Sequence, residues 1–218
     1  MRSAIAAKRV VSSVDRESAL QVVEAVYRHE KRWLDDTAAE MPLDLTAPDG
    51  RSWFLVTVGG KAAGVIRLVY DPSLEVPAEY GVTLEPDVDI EGLKQRGRFV
   101  DVGRLMIIPR YRRNVRVVLE LMRAASVEVV ERGYTHFLTT VFADDPHSPL
   151  GFHTRVLGFE RIGTHSRGEL ACASVRILLI LDIGRAYQRL KERRNRVLQD
   201  LGLGIRDVME RRLLAPTI

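Results

Sequence analysis

A chain of 218 residues, 46% apolar and 28% charged, with 16 glycines and 9 prolines, can bury a sizeable core and is neither disordered nor fibrous in composition. No run approaches the roughly 18 to 20 apolar residues of a membrane span, residues 1–11 hold no apolar signal region, and the one cysteine, Cys172, excludes an internal disulfide and a thiolate-rich metal site; a cytoplasmic protein is expected. The net charge of +4 is uneven, with +7 concentrated in the 25 residues 92–116 and −3 in the remainder, so this stretch attracts a phosphate, a nucleic acid or an acidic protein.

In chain order, residues 9–14 read as a strand and 18–33 as a helix with Leu20, Val23 and Tyr27 on one side. After the turn signal Ala47-Pro48-Asp49-Gly50, the β-rich runs 53–58 and 62–70 are joined by Gly59-Gly60 and predict a hairpin. The polar, proline-punctuated stretch 71–97 is longer than a simple connection and reads as a functional or mobile loop. Residues 99–108 form the next strand, stopped by Pro109. Val118, Leu121, Met122, Ala125 and Val129 then recur at helical spacing up to Gly133. A strand over 135–142, a short helix over 149–156 and strands near 159–163 and 174–183 complete the set. The order β-α-β-β-β-α-β-α-β-β predicts an α/β (α+β) fold with a mixed, mostly antiparallel central sheet flanked by helices. From Arg185 the chain is helical and basic, with Leu198–Ile205 as a second short helix or interaction tail. The expected division is therefore a domain over 1–184 and a helical C-terminal extension over 185–218.

The strand ending at Ile107-Ile108-Pro109 opens through a basic turn into an amphipathic helix. The first turn of such a helix offers unpaired N–H groups and a positive dipole end to a phosphate, and Arg110, Arg112, Arg113 and Arg116 add side-chain donors beside Asn114 and Val115. This strand–turn–helix resembles the acyl-donor motif of the GNAT acyltransferase fold. Two small residues are typical of that turn in acetyl-coenzyme-A users, and here Val115 and Val117 stand in their place. Glycines let backbone amides close on a pyrophosphate, so their loss points away from coenzyme A and toward the single phosphodiester of an acyl carrier protein, whose acidity also suits the local charge.

Three further segments resemble the long-chain N-acyl amino acid synthases (N-acyltyrosine synthase-like) and the related acyl-homoserine-lactone synthases: Asp101-Val-Gly-Arg104, the early helix Val26-Tyr27-Arg28-His29-Glu30-Lys-Arg-Trp33, and the run from Asp145-Pro-His147 through Phe152-His153 to Leu157-Gly158-Phe159. The closing strand from Ala173 to Asp182 is similar as well, so the resemblance spans residues 8–185. Two positions depart from it: His153 stands where the family has tyrosine, and Val23 where an arginine is expected.

Asp101 and Arg104 lie on an apolar strand, where a charge is uncommon without a purpose. At that offset their side chains oppose each other on an ideal strand, so a direct pair needs a bulge. Asp101 is the candidate to orient or deprotonate an attacking amine, Arg104 to hold an acceptor carboxylate, and a bulge N–H to steady the oxyanion. His147 reads as a substrate-binding or proton-moving ring or an idle loop residue, and His153 as proton donor to a leaving thiolate or an exposed residue. Tyr27, Trp33, Phe99, Met106, Phe142 and Phe152 read as core or acyl-pocket wall, with the early helix and the 71–97 loop closing over the chain. The five histidines lack metal-ligand spacing, and no metal is implied.

The resemblance implies an N-acyltransferase that moves a long-chain fatty acyl group from an acyl carrier protein thioester to the amine of an amino acid or similar small amine. Acyl-phosphopantetheine, or acyl-coenzyme A, would be the donor substrate, with no permanently bound cofactor, an acidic carrier protein as partner and peripheral membrane contact as a further option. The alternatives are a coenzyme-A-dependent N-acetyltransferase, an acyl-homoserine-lactone synthase, and a non-catalytic nucleic-acid-binding module suggested by the pI near 9.4. No nucleic-acid-binding signature accompanies the last, and no nucleic-acid partner is expected.

Overall fold

The chain opens on β1 (Ile5–Arg9), earlier than the expected 9–14. The Ser12 hydroxyl accepts the Asp15 N–H at 3.2 Å, and this cap starts a helix where an extended run is expected. Helix α1 (Ser13–Val23) widens at Glu24 into a π-helical turn, Glu24–Glu30. The computed structural model describes residues 3–45, 50–74, 80–145, 148–167, 170, 174–192, 199, 201–202 and 204–214.

The hairpin forms as expected: β2 (Arg51–Val58) and β3 (Lys61–Tyr70) meet at Gly59 and Gly60, whose φ values of 57° and 77° fit a tight turn that glycine enters without strain. The stretch 71–97 is not a lid in its described part. It contains β4 (Thr83–Leu84) and α2 (Ile90–Arg96), capped by Asp89. Next come β5 (Phe99–Ile107), α3 (Val115–Glu131), β6 (His136–Phe142), a π-turn over Phe152–Leu157, β7 (Glu160–His165) and β8 (Arg176–Asp182). The C-terminal extension includes α4 (Ile183–Glu192) and α5 (Arg206–Leu214) among its described residues. Within the expected second helix at 198–205, Gln199, Leu201 and Gly202 are helical, and residues 198, 200 and 203 lie outside the described residues.

The strands form one sheet in the order β1-β2-β3-β5-β6-β8-β7-β4. Every pair is antiparallel except β5 and β6, whose crossover is α3. Because β4 pairs with β7 at the far edge, the segment carrying it runs away from the centre of the sheet rather than over it.

Alternation along the strands sends two apolar sets to opposite faces. Val22, Val23, Tyr27, Leu55, Val65 and Met106 pack on the α1 face. Phe54, Ile66, Leu68, Val100, Leu121 and Val129 pack on the α3 face, where Tyr187, Ile205 and Met209 of the C-terminal extension join them. Among the described residues no helix is long and apolar enough to cross a membrane.

Candidate active site

β5 and β6 are paired only from Phe99–His136 to Val102–Thr139. Beyond that point β5 stays with β3 and β6 with β8, so the sheet splits at its centre. The Thr139 hydroxyl donates to the Val102 carbonyl at 2.7 Å, closing the last rung. On its other edge β5 carries a bulge: Val65 faces Met106 while Arg67 faces Gly103, so Arg104 and Leu105 together oppose Ile66. Arg104 takes φ 53°, a left-handed conformation unusual for a non-glycine residue.

The extra residue settles the Asp101–Arg104 question, because it turns both toward the α1 face. A Cβ on Gly103 would sit 3.4 Å from Arg67 Nη2 and 3.6 Å from Asp101 Oδ2, so these groups converge over the glycine. Arg104 donates from Nε and Nη2 to the Glu40 carboxylate at 2.7 and 3.2 Å, with both side chains about one-tenth exposed. Its guanidinium also lies 5.5 Å from the Tyr27 ring centroid. Burial pushes the Tyr27 phenol up against the opposing pull of Arg104, so it stays protonated. The face of the split thus holds two cations and two carboxylates. Sequence reasoning missed Arg67 and Glu40. Arg67 carried a usable signal, a lone charge inside the apolar run 62–70; Glu40 carried none.

Four of the six expected pocket residues come together here. Tyr27 packs on Trp33 at 5.3 Å and Trp33 on Phe142 at 4.5 Å, bridging the two sides of the split, with Met106 in the same cluster. Lys31 donates to Asp145 at 2.8 Å alongside them. The other two are elsewhere. Phe99 stacks on His136 at the paired end of β5, seven residues or about 20 Å of strand from Met106. Phe152 packs with Leu119, Val141 and Leu157, a separate cluster.

A cavity of about 100 Å³ abuts the base of the split on the α3 face, lined by apolar side chains including Val102, Leu105, Phe137 and Leu157, with Thr139 and His153 among them. His153 is buried, not exposed. Its Nδ1 donates to the Pro149 carbonyl at 2.9 Å, and burial holds the ring's pKa below the usual histidine value. A neutral ring with its proton on Nδ1 presents Nε2 as an acceptor. His153 is therefore set up to receive a proton, not to donate one to a leaving thiolate. His147 lies outside the described residues. Among the described residues no cluster of metal-ligating side chains occurs.

At the basic corner Ile107 ends β5, and the Ile108 N–H donates to the Ala63 carbonyl at 2.9 Å. Arg112 is not turned to a ligand as expected. Its Nε donates to the Ile107 carbonyl at 2.9 Å, and its other nitrogens bind both Glu30 oxygens at 2.7 and 2.6 Å, bracing the corner against the π-turn. Arg110, Arg113 and Arg116 are exposed, Arg110 resting over Tyr111. The Asn114 side chain caps α3 by accepting the Arg116 N–H at 3.3 Å, and Val115 is exposed beside it.

The fold that carries this split superposes on proteins of known structure. FeeM, an N-acyl amino acid synthase from uncultured soil microbes, superposes with a TM-score of 0.62 at 14% identity, covering 85% of this chain and 94% of that one. NAA60 of Arabidopsis thaliana in complex with acetyl-CoA gives 0.56 at 12% identity over 83% and 99% of the two chains. A GNAT-family acetyltransferase of Desulfovibrio desulfuricans gives 0.55 at 15% over 82% and 99%. These likenesses establish the GNAT fold. No curated protein sequence gives a significant match. Residues 18–179, which include β5 and β6 on either side of the split, match the family described as N-acyl amino acid synthase FeeM. The chain belongs to that family and is an acyltransferase.

Proposed function

We propose that this protein transfers a fatty acyl group from the phosphopantetheine thioester of an acidic acyl carrier protein to the amine of an amino acid. The observation that carries this reading is the division of the split: charged groups for a zwitterion on one face, and an apolar cavity for an alkyl chain on the other. Arg67, which meets Asp101 over Gly103 beside the bulge, is the proposed partner of the acceptor carboxylate. Asp101 sits across Gly103 from Arg67, where it can accept the ammonium proton and free the amine.

The amine nitrogen attacks the thioester carbonyl, and a backbone N–H of the bulge supports the oxyanion. The carbon–sulfur bond then breaks, the nitrogen gives up its second proton to water as the amide forms, and the departing thiolate takes up a proton. A protonated Tyr27 and a water-mediated route from Asp101 are the available sources of that proton. Arg110, Arg113 and Arg116 supply the positive surface for the phosphodiester and its carrier.

The test supplies purified protein with dodecanoyl acyl carrier protein, dodecanoyl-coenzyme A and acetyl-coenzyme A, each with a mixture of amino acids. Products are read by mass spectrometry and thiol release. An N-acyl amino acid formed fastest from the carrier-bound donor is expected. Faster turnover of acetyl-coenzyme A would replace this reading with an acetyltransferase, consistent with the acetyl-CoA complex of the Arabidopsis neighbour.

A further inference from the structure

The apolar cavity is closed partly by residues beyond the family match, which ends at residue 179. Ile183, Ala186, Tyr187, Leu201 and Ile205 all line it. Tyr187 and Ile205 are buried in the same cluster as Leu121, Ala125 and Val129 of α3. Gly204 makes this docking close: a Cβ there would fall 2.6 Å from Val127 Cγ2. The Tyr187 hydroxyl donates to Glu210 at 3.3 Å, linking α4 to α5. Arg189 reaches Glu160 at 3.5 Å and the Gly158 carbonyl at 3.4 Å, tying α4 to the turn that carries His153.

Size gives this wall a consequence. The cavity holds about 100 Å³, whereas an engineered cavity of about 150 Å³ takes a single benzene ring. As folded, the space accepts on the order of four or five carbons. A longer chain enters only where the wall side chains yield.

We propose that the C-terminal extension, through Tyr187, Leu201 and Ile205, is the end wall of the acyl chamber and sets the length of chain the protein accepts. This rests on the cavity being the acyl site of the reaction proposed above, so its test includes a readout independent of turnover. N-methyl alkanamides of 4 to 14 carbons, neutral analogues of the product, are titrated into the full chain and binding is read from the thermal unfolding midpoint. The same scan is run on Leu201→Ala, Ile205→Ala and Ser126→Leu, the last filling the cavity from α3. Acyl-pantetheine thioesters of the same lengths give the turnover profile.

The alanine variants are expected to move the preferred length up by two or more carbons and Ser126→Leu to move it down. Each accommodated methylene changes affinity about fourfold. Because the two kinds of variant act in opposite directions, a loss of stability in one does not mimic the result. A shifted binding optimum without any acyl transfer upholds the wall and refutes the acyltransferase chemistry. Turnover with the same length profile in all four proteins refutes the wall and leaves the chemistry standing.

Discussion

Asp101 and Arg67 converge over a glycine, so neither is shielded by a side chain at position 103. Asp101→Asn keeps the shape and removes the base, and kcat is expected to fall about 100-fold or more, with KM for the amino acid little changed. Arg67→Met removes a charged partner of the acceptor carboxylate, and KM for the amino acid is expected to rise about tenfold or more, with partial recovery in Arg67→Lys. Steady-state kinetics separates the two effects, and equal loss of kcat in both variants would contradict the assignment. His153 gives a pH prediction. Burial lowers the pKa of His153, His136 and His165 below 6.5, so the unfolded chain binds protons that the folded chain refuses. Their contribution is full above pH 6.5 and is lost as the pH falls below it. Urea unfolding at pH 7.5 and 5.5 is expected to show lower stability at the acidic value and a shallower drop in His153→Gln; no difference between the variants would remove His153 from this account.

At the scale of elements, the bulge in β5 and the 3-10 turn Ala38–Glu40 hold each other through the Arg104–Glu40 pair. With both side chains about one-tenth exposed, removing one partner strands a charge in poor solvent. Glu40→Ala is expected to cost about 3 kcal/mol in urea unfolding, and the double variant Glu40→Met with Arg104→Met to restore most of that loss. Equal instability of the single and double variants would mean packing, not charge, is at stake. The alternation of apolar residues made β2, β3, β5, β6 and α3 legible, and Gly-Gly marked the hairpin. The start of α1 was not legible, because the Ser12 cap outweighs the β-prone Val10-Val11-Ser12-Ser13-Val14 run. Asp101 and Arg104 could be singled out as charges on a buried strand. Their common face could not, since one inserted residue reverses the alternation and nothing in the local sequence marks it.

For the whole molecule, charge is distributed for docking: Arg110, Arg113 and Arg116 lie exposed at one corner, while Arg112 is spent on Glu30. Carrier-bound donor is therefore expected to lose kcat/KM steeply between 50 and 500 mM salt, concentrations at which screening lengths shrink from roughly 14 to 4 Å, whereas a small acyl-pantetheine responds weakly. Identical salt responses would dissociate the corner from carrier binding. By itself the sequence determined the central hairpin, the order of the strands β5 and β6 about α3, the basic strand-to-helix corner and the likeness to acyltransferases. These are read from neighbours a few residues apart, where periodicity, turn residues and charge act locally. The tertiary structure alone decided which arginines remain available, which residues share a face of the split and where the C-terminal extension closes the cavity. Those outcomes depend on partners such as Glu30 and Glu40, more than sixty residues from the arginines they neutralise, and only the packed sheet and helices bring them into contact.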